Sequence, residues 1–475
     1  MLDIALRSVH KQQVVCHTEC SISAMTQLGE AIARYHKLLE NEPFRNSGWT
    51  TQLRDQMGAR RLIINGRPVS PVLRPHFLSR RQYTNLARLA ETLGSAIERI
   101  RTMALSTPAL LHRMELLPAE KMLASVDPGY PYPAVASLFD TQVNNGSVYF
   151  TDCRTDLPTG IVFGEVLSDL YFDTPVVKEF RKKYKLEKVS ASKPLISAML
   201  KAYKEFGGGK HPNIAIIEFK QPFQTEDTQE FLLLVELFRK HGYNAEIVSA
   251  DQLEYRNGVL KRGDYNIDLV YRGVRAKEFL LRFDLNHPLV RAYRERKVCV
   301  VNSFRSELTR KMALFDLLTD DTITASFPQA EKKAIRESIP WTRLVTSSKT
   351  SYKDETVDLP EFILQNRERL VLRPNELSSE QQSFAGAYTD ESSWERAVKL
   401  ALRQPYVVQE RLESHPIPFP VDFYGDIVMR DLNVDVHPHE FLGKVHGVSS
   451  RISSADASRF STISGYAPTY ILESK

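Results

Sequence analysis

The chain has 475 residues, 42% hydrophobic and 25% charged, and its 63 basic and 58 acidic side chains leave a formal charge of +5. A chain this long buries a large core and divides into two to four domains, and so small and interspersed a charge excess excludes composition-driven binding of nucleic acid. No apolar run approaches the roughly 20 residues that cross a bilayer, no signal-like apolar block opens the chain, and only four cysteines occur. No membrane partner and a reducing, cytoplasmic location are therefore expected.

In chain order, Cys16 and Cys20 lie one helical turn apart in CHTEC, with His17 between them. They could bind a metal, but without a second ligand pair at zinc-like spacing they read as free thiols. MTQLGEAIARYHKLLE places Met25, Leu28, Ile32 and Tyr35 at spacings of three and four, and QYTNLARLAETLGSAIERI repeats the pattern. Both are predicted amphipathic helices. Between them RRLIINGRPVSPVLRP reads as a short hairpin turning at Asn65-Gly66. Residues 1–115 are thus expected to form a helical, cap-like or substrate-side region.

Residues 116–204 form the next expected unit. ASLFDTQV and SVYFTDC alternate apolar and polar residues on either side of Asn144-Asn145-Gly146, which predicts a hairpin. A Lys-rich, linker-like passage then runs to Gly207-Gly208-Gly209. Within it, RKKYKLEK from Arg181 reads as a solvated helix face, with a phosphate or acidic-substrate role as the minority reading.

In residues 205–302, HPNIAIIEFK reads as a buried strand and TQEFLLLVELFRKHG as a helix ended by Gly242. YNAEIVS, NIDLVYRGV and KVCVVN follow as strands. Alternating strands and helices predict a mostly parallel, doubly wound α/β sheet.

Residues 303–475 begin with a predicted helix at SELTRKMALFDLLTD. The strand-like runs RLVLRP and PYVVQERL then flank a helix, ESSWERAVKLALR, whose Trp394, Ala397, Val398, Ala401 and Leu402 share one face. In DLNVDVH, Asp431, Asn433, Asp435 and His437 alternate, with His439 and Glu440 close behind. A solvated strand edge is the preferred reading and a separate metal site the alternative. No G-x-S-x-G elbow, P-loop or H-E-x-x-H occurs.

Several of these segments carry a resemblance. NSFRSELTRKMALFDLLTDD, VLRP, VVQER, FLGKVHGVSSRIS and the upstream GSVYFTDCRTDLPTG, spanning roughly 129–472, resemble the type 2 circularly permuted ATP-grasp proteins, a glutathionylspermidine-synthase-like group. The resemblance implies an α/β (α+β overall), circularly permuted ATP-grasp fold, in which residues 205–302 form a Rossmann-like pre-ATP-grasp domain. It also implies an ATP-dependent carboxylate–amine ligase acting through an acyl phosphate on small-molecule or peptide acids and amines. The alternative is a degenerate, non-catalytic scaffold of the same fold.

Such a ligase needs cations around a triphosphate, oxygen ligands for Mg²⁺ and a purine pocket. By resemblance, Lys311 and Arg373 take the phosphate positions, with arginine where the family usually has lysine. Asp140 and Asp152 take the Mg²⁺ positions. Arg154 replaces a metal-ligating asparagine and is expected to meet phosphate, or to pair with Asp152. Gln409, Glu410 and Arg411 mark the hinge along which ATP places its adenine. Leu138 stands where an arginine is common. The phosphate loop NELSSEQQSFAG has one glycine, Gly386, and its Glu376 and Glu380 are expected to face the triphosphate.

Overall fold

The protein is described here from a computed structural model that covers residues 27–45, 48–132, 134–144, 147–155, 159–219, 228–376, 381–423, 425–454 and 463–474. Cys16, His17, Cys20, the Asn145-Gly146 turn and Glu380 lie outside the described residues.

The runs read as buried strands form an all-parallel sheet, ordered Cys299–Val301, Leu269–Arg272, Ile214–Glu218, Ala245–Ser249. Ile214, Ala215, Ile216 and Ile217 are all completely buried, as continuous apolar sequence requires when helices cover both faces. The helix Gln229–Lys240 ends at Gly242, whose φ of 83° lets the chain turn back. A small meander, Glu254–Arg256, Val259–Arg262 and Tyr265–Asn266, interrupts the alternation without having been anticipated.

A second, antiparallel sheet has the order Thr342–Leu344, Tyr406–Glu410, Leu370–Pro374, Phe384–Ala385. Trp394, Ala397, Val398 and Ala401 of the helix Glu391–Ala401 pack on it as their spacing predicts. Leu402 lies past the helix end and is 37% exposed.

The third sheet positions the candidate site. The hairpin Ala136–Asn144 and Ser147–Arg154 joins the long strand Asp426–Phe441, which pairs in turn with Lys444–Ser454 and then Ser464–Ala467. Ile417–Phe423 pairs with the start of the long strand. Residues read as a solvated edge are therefore in a central strand: His437, His439 and Glu440 are buried, while Asp431 is exposed. The edge reading is corrected because strands flank this segment on both sides.

Other expectations also change. The Lys-rich passage is not a linker: it holds the helices Ile161–Phe172, Pro175–Phe180 and Ser192–Glu205, all with buried faces. The basic run is not a helix face either. Tyr184–Lys188 is a strand paired with Thr469–Ser474, which pairs on its other side with His76–Ser79. Arg181 and Lys188 instead lie 3.5 Å and 4.4 Å from the ring centre of Phe172, a cation–π arrangement. The hairpin at Asn65-Gly66 forms as read, with φ of 50° and 74° at its two turn residues. One apolar cluster draws on Tyr35, Trp49, Phe77, Tyr171, Leu195, Ile214 and Tyr470, and so runs across the expected boundaries at 115, 204 and 302.

Candidate functional site

The helix expected over SELTRKMALFDLLTD is broken. Glu307–Arg310 and Ala313–Leu318 are separate, with Lys311 extended between them at φ −75° and ψ 140°. Ala313 N–H donates to the Asn375 side chain and Met312 N–H to the Asn375 carbonyl, so the residue just past the strand Leu370–Pro374 supplies the partners that a continuous helix would have supplied itself. The break sends Arg310 and Lys311 to different carboxylates.

Arg310 reaches the hairpin, where its guanidinium lies 3.2 Å from Asp152 although the residues are 158 apart in sequence. Both side chains are nearly inaccessible, at 2% and 1% exposure. Asp152 is register partner to Asp140, and Leu138 to Arg154, so the four share one face of the paired strands. Arg154 donates to Asp140 at 2.6 Å, and not to Asp152, the pairing that stood beside phosphate as its alternative in the sequence. Burial lowers the Arg154 pKa, but Asp140 and Asp152 outweigh it and hold the group above its ordinary value.

Arg373 comes from the second sheet. One of its nitrogens donates to the Thr151 carbonyl at 2.7 Å and to the Gln409 side chain at 3.0 Å, tying hairpin to hinge. Burial pulls its pKa down, and the nearby Asp152 and Asp140 oppose that shift. His437 Nδ1 lies 3.6 Å from Asp140. Burial first, then Arg154 and Arg451, lower its pKa to about 3, so the ring is neutral at pH 7. Burial and then Asp140 raise Asp435 to about 6.

Asp140 Oδ1 and Asp152 Oδ2 are buried without hydrogen-bond partners among the described residues. Two orphaned carboxylate oxygens on register partners suit a hard divalent cation. The donor set is of the type that Mg²⁺ takes, although Arg154 and Arg310 are already paired with these two carboxylates.

Lys311 stands apart from this group. Its ammonium is 2.6 Å from Glu376 and 2.9 Å from Glu120, and it is 3% exposed. Glu120, Glu307 and Glu376 form a buried three-carboxylate cluster. Burial depresses the Lys311 pKa, but Glu120, Glu376 and Glu307 outweigh it and raise it overall. Glu376 thus faces a lysine, and Lys311 is an enclosed cation. Gly386 also departs from the loop expectation: a Cβ there would fall 2.0 Å from the Arg367 carbonyl, so glycine permits a close backbone approach.

At the hinge, Gln409 donates to Thr342 Oγ1 and accepts from Arg373, while Glu410 accepts from the Tyr352 hydroxyl at 2.8 Å. The Glu410 N–H already donates to the Trp341 carbonyl, and the Arg411 N–H to that of Arg369. These two donors of the main chain expected along the purine edge are spent on Trp341 and Arg369, residues just before the strands Thr342–Leu344 and Leu370–Pro374. Beside them opens a cavity of about 800 Å³, lined by Tyr149, Ser338, Tyr352, Arg369, Glu410 and Arg411 among others. Its lining residues Tyr149 and Glu410 lie two residues and one residue in sequence from Thr151 and Gln409, the two partners of Arg373.

Arg310 and Glu120 escaped the sequence reading. Arg310 was readable only as the neighbour of Lys311, and Glu120 as an ordinary helix-start acid.

No family model matches the sequence, and no curated protein matches it. Among solved structures, a glutathione synthetase-like effector of Globodera pallida in apo form, GSS30, is similar over 91% of this chain and 98% of its own, with TM-score 0.58 and 12% identity. A putative gamma-glutamylcysteine synthetase from Methylobacillus flagellatus KT is similar over 81% and 86%, with TM-score 0.42 and 8% identity. The ATP-grasp ligase PsnB with its minimal precursor is similar over 56% and 90%, with TM-score 0.27 and 12% identity. The first likeness shows a shared fold.

Proposed function

We propose that this chain is an ATP-dependent carboxylate–amine ligase of the circularly permuted ATP-grasp type, working in the cleft between the hairpin and the hinge. One observation carries the reading. Arg154 pairs with Asp140 within the hairpin, Arg310 reaches Asp152 from a distant segment, and Arg373, from another, ties the hairpin to the hinge, whose Glu410 and Arg411 line a cavity of about 800 Å³. Positively charged donors fixed around one point are what stabilising developing phosphoryl charge demands.

In this reading Asp140 and Asp152 hold Mg²⁺, which supplies neutralisation of phosphate charge. Arg154 and Arg373 orient phosphate oxygens, and Arg310 holds Asp152 in place. The carboxylate substrate is activated as an acyl phosphate before an amine attacks it. Purine binding falls to the cavity walls beside Glu410 and Arg411, since those two N–H groups are already bonded.

A second reading, a binding scaffold without turnover, is favoured by Lys311. Its enclosure by Glu120 and Glu376 removes the cation that the resemblance assigns to phosphate.

MgATP titration separates the two. A ligase at nucleotide about 100 times its dissociation constant gains about 2.7 kcal/mol of stability. It also forms ADP when offered a mixture of peptide acids and amines. A nucleotide-blind protein with no ADP formation establishes the scaffold reading, with calorimetric titration guarding against non-two-state melting.

A further inference from the structure

Behind the hairpin, on the face away from Asp140 and Asp152, lies a chamber of about 200 Å³ between the helix Arg80–Ser106 and the sheet. Ile97, Phe139 and Leu442 give it an apolar side, and Glu440 lines the other. Glu440 is 8% exposed, and its Oε2 is buried with no hydrogen-bond partner among the described residues. The helix makes room for it at Gly94, where a Cβ would lie 2.4 Å from that same oxygen.

The other carboxylates here already have partners. Glu98 is paired with Arg101, and Glu91 with Lys444 at 2.9 Å. Lys444 opposes the burial and the two carboxylates that raise Glu440, and His439 next to it is neutral, lowered by burial to about 3. The Cys153 thiol, pushed up by burial, adds no charge. The unmet demand is therefore for one positive charge carrying hydrogen-bond donors. A divalent ion needs several oxygen ligands, and the one three-carboxylate group among the described residues lies elsewhere, around Lys311.

We propose that this chamber is a binding site for a short aliphatic primary ammonium ion, whose charge meets Glu440 and whose methylenes lie on Ile97, Phe139 and Leu442. The sheet separates it from the cleft, so the site holds an amine independently of any ligase chemistry and stands whether or not the cleft turns over.

Binding is linked to a proton. Burial, followed by Glu91 and Glu98, raises the empty-site Glu440 carboxyl to about 8, so at pH 7 it is mostly protonated. An ammonium ion favours the ionised form, and its own pKa, roughly that of lysine at about 10.4, keeps it charged. Affinity should rise about tenfold per pH unit below the Glu440 pKa and level off above it, with close to one proton released per ligand near pH 7.

The test is calorimetric titration of the full chain with n-butylammonium chloride in buffers of different ionisation enthalpy, between about pH 6 and about pH 9. Saturable one-site binding with proton release is expected, while 1-butanol, of like shape and no charge, gives none. Glu440→Gln keeps the shape and should weaken binding at least tenfold at high pH. Gly94→Ala, which displaces the carboxyl while favouring the helix, should weaken it too. A thermal melt of each variant checks the fold. No saturable binding, meaning that the chamber holds only water, overturns the proposal, and so does equal affinity in folded Glu440→Gln.

Discussion

The ammonium of Lys311 lies 2.6 Å from the carboxylate of Glu376, which stands two residues past the strand Leu370–Pro374. Glu120 completes the enclosure from a helix 191 residues away, so one cation ties three distant segments together. Burying charges is costly unless they are matched, and here removing the centre leaves Glu120 and Glu376 facing each other without a cation, while Glu307 keeps Arg272 at 2.8 Å.

Lys311→Met should therefore destabilise the chain by about 3–5 kcal/mol, seen as a lower urea midpoint. Adding Glu120→Gln should recover part of the loss, since one unpaired carboxylate disappears. Additive losses in the double variant would show that the pair is not coupled. On the ligase reading Glu376→Gln keeps the fold and tightens MgATP binding, because the lysine is released for phosphate. Unchanged nucleotide affinity would leave Lys311 a structural cation.

Arg373 links hairpin to hinge through Thr151 and Gln409. Arg373→Ala leaves a partly buried carbonyl and the side-chain oxygen of buried Gln409 short of a donor, at about 1–3 kcal/mol. Hydrogen exchange of the hairpin amides should accelerate, as the local tie is lost. Exchange rates unchanged from the parent would mean that sheet pairing alone holds the hairpin.

Leu138 is completely buried and is the register partner of Arg154. Leu138→Arg places a second guanidinium against the first and should cost several kcal/mol. With Arg154→Asn added, the new arginine inherits Asp140, and the double variant should be more stable than the sum of single effects by over about 0.5 kcal/mol. Strict additivity in a double-mutant cycle would disprove the coupling.

Asp435 supplies a pH prediction. Its folded pKa of about 6 lies above its ordinary value, so the folded protein prefers the protonated form. Below about pH 4 the group is protonated in both states, and Asp435→Asn should match the parent. As pH rises through about 6 the parent must ionise a largely buried carboxyl, and the variant should become more stable by on the order of 3 kcal/mol. Thermal melts across that range check the sign. A variant less stable at neutral pH would mean that Arg451 holds the ionised form.

Local pattern made much of the architecture legible. The alternation in SVYFTDC, the apolar run in HPNIAIIEFK and the helical spacing of Trp394, Ala397, Val398 and Ala401 each report a period of two, continuous burial or a period near 3.6, and these follow from backbone geometry alone. The Asn65-Gly66 turn is legible for the same reason, since it asks for positive φ within two residues. Spacing on the hairpin also placed Asp152 and Arg154 on one face.

Pairing across long sequence distances was not legible. Nothing in TRKMAL shows that Asn375 would break the helix and send Arg310 to Asp152 and Lys311 to Glu120 and Glu376. DLNVDVH alternates like an exposed edge, yet two flanking strands bury His437 and His439. Periodicity specifies which side chains share a face. Which element covers that face, and hence whether a charge meets solvent, a ligand or an opposite charge, is set by the packing of segments hundreds of residues apart.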